Sequence, residues 1–176
     1  ILLDPSRERS ILVANTTVNM PAFRPDLLEA LAAARVVYLI PQPRVVFERL
    51  HTAVHAGGGK LAIDLEAAHA LPRDEILYCL AHSEIIFCNA SALSKFSGQA
   101  QTEDGARVLL AMGAEVVVVT MGARGAAAFR AGEEGFAPSF PVEVVDTTGA
   151  GDCFHGAFLA GWLSGWPLRK CLVFSN

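Results

Sequence analysis

Charge is scarce in this sequence, and basic residues are not in excess. Charged side chains make up 18% of its 176 residues, and 14 basic residues are set against 18 acidic ones, which gives a net charge of -4. Aromatic residues, at 8%, are not interleaved with basic ones as they are on surfaces where bases stack. The sequence therefore predicts no nucleic-acid partner, since such a partner is usually held by a broad basic face.

Long apolar runs are missing as well. The most apolar stretch, Val108 to Thr120, contains Glu115 and is shorter than the roughly 20 residues that a membrane-spanning helix needs. The first residues do not show the pattern of a signal peptide, and none is expected. The sequence therefore predicts no membrane partner.

The cysteines form no metal-binding or redox motif. Cys79, Cys88, Cys153 and Cys171 include no pair at the CxxC spacing. Three of them lie in apolar runs, where a thiol usually packs as a small hydrophobic group. Reduced cysteines in a cytoplasmic protein are expected from this usage.

Apolar residues, by contrast, make up 52% of the chain. A chain this apolar can bury a core, so intrinsic disorder is excluded, and the length suits one domain. The chain begins with Ile1 rather than Met, and residues 167–176 look like a helix with no stop signal. We therefore expect both ends to be cut from a longer domain.

Short β-branched runs alternate with helical patterns along the middle of the chain. Predicted strands lie at 36–40, 61–64, 84–88 and 116–120, and predicted helices start at Pro25 and span 44–56, 73–82 and 102–112. This alternation is typical of an α/β fold with a parallel sheet, and the near-continuous hydrophobicity of the strands indicates helices on both faces. Two extended segments around the polar turn Pro5–Arg9 predict a hairpin within residues 1–19.

The pattern changes after Thr120. Short strands are predicted at 126–130 and 136–140, around a turn at Gly132–Gly135. A strongly apolar helix is then predicted over Cys153–Leu163.

The run Asp146–Asp152 precedes that helix and is the sharpest chemical feature. Thr148-Gly149-Ala150-Gly151 has no bulky side chain, so its backbone can approach a ligand closely. The free N–H groups that begin a helix suit a phosphate. Asp152 beside them could cap the helix in the ordinary way, or it could take a proton from a hydroxyl during phosphoryl transfer.

This run, followed by Phe154, Gly156, Ala157 and Phe158, closely resembles the C-terminal signature of the ribokinase-type (PfkB) carbohydrate kinases. The resemblance implies a three-layer α/β/α ribokinase-like fold with a mainly parallel central sheet and a small β lid. Residues 1–19 would form part of the lid, and residues 20–176 an incomplete nucleotide-binding and catalytic core.

The resemblance also assigns roles. The family's catalytic base falls on Asp152, and its anion hole falls on the backbone of Gly149, Ala150 and Gly151. In many members a monovalent cation is bound by the residues that match Asp146 and Thr148.

Three weaker matches occur in the right order. Thr120, Gly122 and Gly125 match the nucleotide loop Thr-x-Gly-x-x-Gly, although such a segment alone is more often a β-turn. Asn89 matches the asparagine of the Asn-x-x-Glu motif. Asp4–Ser10 resembles the lid segment, in which Glu8 and Arg9 match.

The departures concern the metal, the lid and the sugar. Ala92 replaces the glutamate of Asn-x-x-Glu, which helps organise magnesium and phosphate in many members, and Arg7 replaces a lid glycine. Asp64-Leu65-Glu66 looks like the corresponding segment of ketohexokinase-like members. The family's Gly-Gly signature and most of its sugar contacts match no part of this chain.

The resemblance implies ATP-dependent phosphorylation of a sugar hydroxyl, with Mg²⁺ and with K⁺ as a further candidate. A homodimer through the lid would be similar to that of many members. We expect residues 1–176 alone to be inactive. Two alternatives stay open: a non-catalytic relative that binds nucleotide or sugar, and a vitamin or nucleoside kinase of the superfamily. A dinucleotide-binding oxidoreductase is disfavoured because no G-x-G-x-x-G follows the first strand.

Other apparent motifs have simpler interpretations. Gly57-Gly58-Gly59-Lys60 lacks the first glycine and the Ser/Thr of a phosphate loop and is expected to end a helix. His51 and His55, four residues apart, lack a third metal ligand and are expected on a helix surface. Phe154, Phe158 and Trp162 are expected in the core.

Overall fold

The computed structural model describes residues 2–3, 9–10 and 23–176. The first two elements are β1 (Leu2–Leu3) and β2 (Arg9–Ser10), which pair antiparallel. The hairpin predicted near the start of the chain is therefore confirmed for these residues. The rest of residues 1–19, including Arg7 and the lid match at Glu8, lies outside the described residues.

The remaining helices and strands follow the predicted alternation. In chain order they are α1 (Pro25–Ala33), β3 (Val36–Leu39), α2 (Arg44–Ala56), β4 (Lys60–Leu65), α3 (Arg73–Ala81), β5 (Ile85–Asn89), α4 (Ala90–Ser97), α5 (Thr102–Ala111), β6 (Val116–Thr120), a short 3-10 turn (Gly122–Arg124), β7 (Ala126–Arg130), β8 (Glu133–Ala137), α6 (Ala150–Leu163) and α7 (Leu168–Ser175).

One sheet holds the strands from β3 to β8, which lie side by side in chain order. β3 to β6 are parallel, and β7 and β8 are antiparallel to their neighbours. Leu65 lies opposite Cys88, and Asn89 lies opposite Thr120. The carboxyl ends of β4, β5 and β6 therefore meet at one edge, which brings together the polar residues that end each strand.

Side chains alternate between the two faces of this sheet, as they do in any strand. Ile63 and Ile86 pack with α1–α5 on one face, and Ile85 and Phe87 pack with α6 and α7 on the other. Phe158 of α6 is fully buried. The predicted three-layer α/β/α architecture is therefore confirmed.

Two predicted boundaries are wrong. α6 begins at Ala150 rather than at Cys153, so the exposed residues Ala150, Gly151 and Asp152 form its first turn although glycine has a weak helix propensity. β8 spans Glu133–Ala137 rather than 136–140. Only Ala131 and Gly132 form the turn, and the proline at position 138 cannot donate to the ladder.

Helix α4 was not among the predicted elements. It begins directly after β5 because Asn89 caps it, with its side-chain oxygen accepting the amide N–H of Ala92 at 2.8 Å. Asn89 thus has a structural role in addition to any contact with a ligand.

The expectations about the buried cysteines and about the glycines that end α2 agree with the structure. Cys79, Cys88 and Cys171 are buried free thiols, and Cys153 is exposed. Gly57 follows the last residue of α2. No helix in the described part of the chain is long and apolar enough to cross a membrane.

Candidate active site

A cavity of about 410 Å³ lies at the carboxyl ends of β4, β5 and β6, beside the first turn of α6. It is lined by Asp64, Leu65, Glu66, Cys88, Asn89, Thr120, Thr148, Gly149, Gly151, Asp152 and His155. Six of the site residues predicted from the sequence are therefore brought together here. The other four, Gly122, Gly125, Asp146 and Ala150, do not line it.

The loop that leads into α6 is shaped by Gly149. This residue precedes the helix with φ +77°, a left-handed conformation that favours glycine, and a methyl group added to it would meet no atom within 4 Å. The side chain of Asp146 accepts the amide N–H of Thr148 at 2.8 Å, which holds the loop in a turn. The loop therefore presents bare backbone to the cavity.

The first amides of α6 are available to a ligand. The amide of Ala150 donates to the Thr147 carbonyl at 3.2 Å. Among the described residues, the next two amides, of Gly151 and Asp152, have no such backbone acceptor. Such N–H groups carry the partial positive charge of a helix start, which suits phosphate.

Asp152 is the third residue of α6, not its cap. Gly149 occupies the cap position, and the exposed Asp152 side chain faces the cavity. The ordinary capping interpretation of this aspartate is therefore excluded. Its carboxylate is placed where it can accept a proton from a group in the cavity.

The site that matches the family glutamate holds no carboxylate. Ala92, a residue of α4, is fully buried in the core. The carboxylates that line the cavity come instead from Asp64, Glu66 and Asp152. Among the described residues, a carboxylate that binds a metal in this cavity would therefore be one of these three.

Only part of the predicted nucleotide loop lies at the cavity. Thr120 ends β6 and lines the cavity, whereas Gly122, at φ +58°, begins the 3-10 turn with open space beside it. Gly125, at φ +96°, is packed so closely that an added Cβ would lie 2.1 Å from the carbonyl oxygen of Ala137. Gly125 is therefore required by the packing of the β7–β8 hairpin.

A partly buried polar chain at one side of the cavity was missed by sequence reasoning. The Tyr38 hydroxyl donates to Asp64 Oδ2 at 2.8 Å and lies 2.8 Å from His155 Nδ1. Burial in apolar surroundings lowers the pKa of His155, against the opposing effect of Asp64 and Asp152. Burial, and then the bond to Asp64, raise the pKa of Tyr38. The only signal in the sequence is a histidine within the apolar pattern of α6, three residues after Asp152.

The comparisons with known proteins decide the family. A family model described as pfkB family carbohydrate kinase matches residues 1–176. This chain belongs to the pfkB family. Its resemblance to the ribokinase-type kinases is thereby confirmed.

Three relatives illustrate the similarity. A cytidine kinase from Thermococcus kodakarensis is 32% identical over 79% of this chain and 51% of its own length. A ribokinase structure from Arabidopsis thaliana, complexed with ribose and ATP, is 28% identical with a TM-score of 0.72, over 86% of this chain and 50% of that one. A protein from E. coli solved with ATP and Mg²⁺ is 24% identical with a TM-score of 0.73, over 85% and 52% of the two chains, and it shows likeness of fold alone. The chain thus spans about half the length of each of these three proteins.

Among the described residues, the side chains of this pfkB family member do not form a metal cage of their own. In residues 23–176 no group of three or more His, Cys, Asp or Glu side chains is placed to hold a metal ion. Mg²⁺ is usually bound through one or two carboxylates together with phosphate oxygens and water. The exposed carboxylates of Glu66 and Asp152 fit that pattern.

Proposed function

We propose that this chain carries the catalytic centre of a kinase that transfers the γ-phosphoryl group of ATP to a hydroxyl of a sugar. The observation that carries the proposal is the placement of Asp152 and the bare loop at Gly149 in one cavity. Membership of the pfkB family supports it. Because the chain spans about half the length of its relatives, the activity of the whole protein stays a proposal.

The mechanism follows from the first turn of α6. The acceptor hydroxyl attacks the γ-phosphorus, the bond from that phosphorus to the β–γ bridging oxygen breaks, and ADP leaves. Asp152 accepts the hydroxyl proton. The open amides of the α6 turn, those of Gly151 and Asp152, donate to the transferring group, so that its charge is stabilised without reorganisation. Positioning and charge stabilisation are the main contributions in such a transfer.

Two residues are placed to support the metal and the phosphates. Mg²⁺, when bound, neutralises charge on the phosphate oxygens. Glu66, exposed at the end of β4, would bind it directly or through water. Asn89 uses its side-chain oxygen to cap α4, so its side-chain NH₂ group is what remains to donate to a phosphate. A monovalent cation at Asp146 and Thr148 stays a prediction, as do the cytoplasmic location and the lid dimer.

A nucleoside kinase is the second candidate. The similarity to a cytidine kinase over 79% of this chain favours it. The chemistry at Asp152 would be the same, and only the acceptor would differ. Assays of the whole protein with ATP and ribose, fructose, adenosine or cytidine distinguish the two candidates.

Replacing the base tests the mechanism. Asp152→Asn is expected to lower turnover by about 10²–10⁴-fold while ATP binding is nearly preserved, measured by coupled assay and calorimetry. Asp104→Asn is the matched control, because Asp104 is the exposed third residue of α5 and lies outside the cavity. Turnover close to that of the control would remove Asp152 from the mechanism. Binding of ATP without turnover by the wild type would favour the non-catalytic alternative.

A further inference from the structure

The polar chain of Tyr38, Asp64 and His155 lies between the sheet and α6, on the side of the site towards the edge strand β3. Tyr38 belongs to β3, Asp64 to β4 and His155 to α6. The His155 ring packs against Phe87 of β5, with ring centroids 4.3 Å apart, and is only 5% exposed. The predicted nucleotide loop follows β6, on the opposite side of the cavity. These three side chains therefore lie beside the region where the acceptor of the phosphoryl group would enter.

The hydrogen bonds fix where the protons lie. A carboxylate only accepts, so the single proton of the Tyr38 hydroxyl is donated to Asp64 Oδ2, 2.8 Å away. The Tyr38 oxygen must then accept from His155, whose Nδ1 lies 2.8 Å from it. His155 is thereby held with its proton on Nδ1. In the neutral ring Nε2 is then an acceptor.

That acceptor is open to the cavity. His155 lines the cavity together with Asp152. In the described residues no buried side-chain nitrogen or oxygen lacks a hydrogen-bond partner, and the only hydrogen bond of this ring is made by Nδ1. Nε2 therefore keeps contact with solvent rather than being sealed in the core. The lowered pKa of His155 favours the neutral ring that this role needs.

We propose that His155 binds the acceptor substrate, with Nε2 accepting a hydrogen bond from one of its hydroxyl groups. Tyr38 and Asp64 are the positioning residues that hold the ring in the required tautomer. This inference rests on the proposed function. It names the chemistry of the acceptor: a polyol in which the hydroxyl group next to the reacting one donates a hydrogen bond to His155. A group built to accept from a substrate hydroxyl discriminates against analogues that lack it.

Two substitutions of His155 separate this role from a purely structural one. His155→Asn keeps an amide where Nδ1 lies, so it can retain the buried bond to Tyr38 but presents nothing to the cavity. His155→Gln places an amide oxygen near the position of Nε2 and gives up the bond to Tyr38. A structural role therefore predicts that Asn is the better replacement, whereas substrate binding predicts that Gln is.

The kinetic expectation follows from one lost hydrogen bond. The assay uses whichever of ribose, fructose, adenosine or cytidine the whole protein phosphorylates. With that acceptor, His155→Asn is expected to raise the acceptor KM about tenfold, which is a loss of binding within the range of one hydrogen bond. The KM for ATP should stay unchanged, and His155→Gln should recover most of the loss. Phe158→Leu, one turn further along α6 and fully buried, is the control for packing, and it should lower Tm without changing the acceptor KM.

A measurement without turnover tests the tautomer directly. Long-range ¹H–¹⁵N correlation spectra of the wild-type protein should show the His155 proton on Nδ1, and Tyr38→Phe should release it from that state. A proton on Nε2 in the wild type would overturn the inference. An unchanged acceptor KM in His155→Asn would also overturn it while leaving the kinase proposal intact. Absence of turnover by the wild type with every acceptor would overturn the proposed function and this inference with it.

Discussion

Gly149 allows backbone strain to be separated from ligand binding, because the chain contains a second glycine in almost the same conformation. Gly149 has φ +77° and ψ −1°, and Gly98, which follows α4, has φ +74° and ψ 10°. A methyl group added at either position would meet no atom within 4 Å. Of these two glycines, only Gly149 lines the cavity. Alanine at these two positions should therefore impose similar strain and differ only in what the methyl group does to a ligand.

The strain can be estimated from the conformation. An L-residue in the left-handed region costs about 1–2 kcal/mol. For a protein of about 150–250 residues each 1 kcal/mol lowers Tm by roughly 2–4 °C. Gly149→Ala and Gly98→Ala are therefore both expected to melt roughly 2–8 °C below the wild type, as measured by calorimetry or circular dichroism.

The two variants should differ in nucleotide affinity. The methyl group of Gly149→Ala would occupy space beside the first amides of α6, where a phosphate is expected. We expect the Kd for ATP to rise about tenfold, which corresponds to about 1.4 kcal/mol, and we expect no change in Gly98→Ala. Isothermal titration calorimetry of the whole protein measures both. Equal ATP affinity in the two variants would refute phosphate binding by this loop, even if both lost stability as expected.

Further predictions concern the thiols, one ion pair and the chain alone. Of the four cysteines, Cys153 is exposed and the other three are buried with raised thiol pKa values, so one thiol should react quickly with a disulfide reagent in the native state; fast labelling of a buried thiol, mapped by mass spectrometry, would contradict this. Burial is the largest single effect on His55 and Glu84 and acts against their charged forms. Their hydrogen bond at 2.9 Å, further backbone hydrogen bonds and their mutual attraction together outweigh it, so the pKa of His55 is raised and that of Glu84 is lowered. The pair should stabilise most at about pH 5–6.5 and lose this contribution as the pH rises through the His55 pKa, so Tm should fall less from pH 6 to pH 8 in Glu84→Gln than in the wild type. Residues 1–176 expressed alone should show no ATP-dependent turnover of sugars, since the chain spans about half the length of its relatives; clear turnover by this chain would contradict the expectation.

The sequence was sufficient for the sheet because β-branched runs and helical periods are local signals. The strand Val116–Thr120 is an uninterrupted apolar run, and the structure places it in the buried interior of the sheet. The start of α6 was misplaced because glycine and alanine have no local pattern that distinguishes a loop from a first helical turn. The start of α4 depends on a capping bond from Asn89 to Ala92, which the resemblance had led us to consider only as part of a ligand site.

The polar chain of Tyr38, Asp64 and His155 could not be predicted, because its members are far apart in the sequence. Tyr38 and His155 are separated by 117 positions and meet at 2.8 Å. Tyr38 belongs to no motif that carried the resemblance to a kinase, and His155, between Phe154 and Gly156, is not one of the matching residues. Their pairing depends on which face of β3 is turned towards α6, and a short apolar strand with both faces partly buried does not reveal this.

The three carboxylates that line the cavity are distinguished by their surroundings. Asp64 accepts the hydroxyl of Tyr38, and its side chain is only 17% exposed, so it is committed to holding the polar chain. Glu66 is exposed at the end of β4, beyond the last buried residue of that strand, where it can reach a metal ion bound to phosphates. Asp152 lies in the first turn of α6, where its exposed carboxylate faces the cavity and the nearby amides can hold the phosphoryl group that its proton acceptance would help to transfer. Ala92 can therefore replace the family glutamate without removing every carboxylate from the site, because the proposed roles of proton acceptor, metal ligand and buried anchor fall on three different residues.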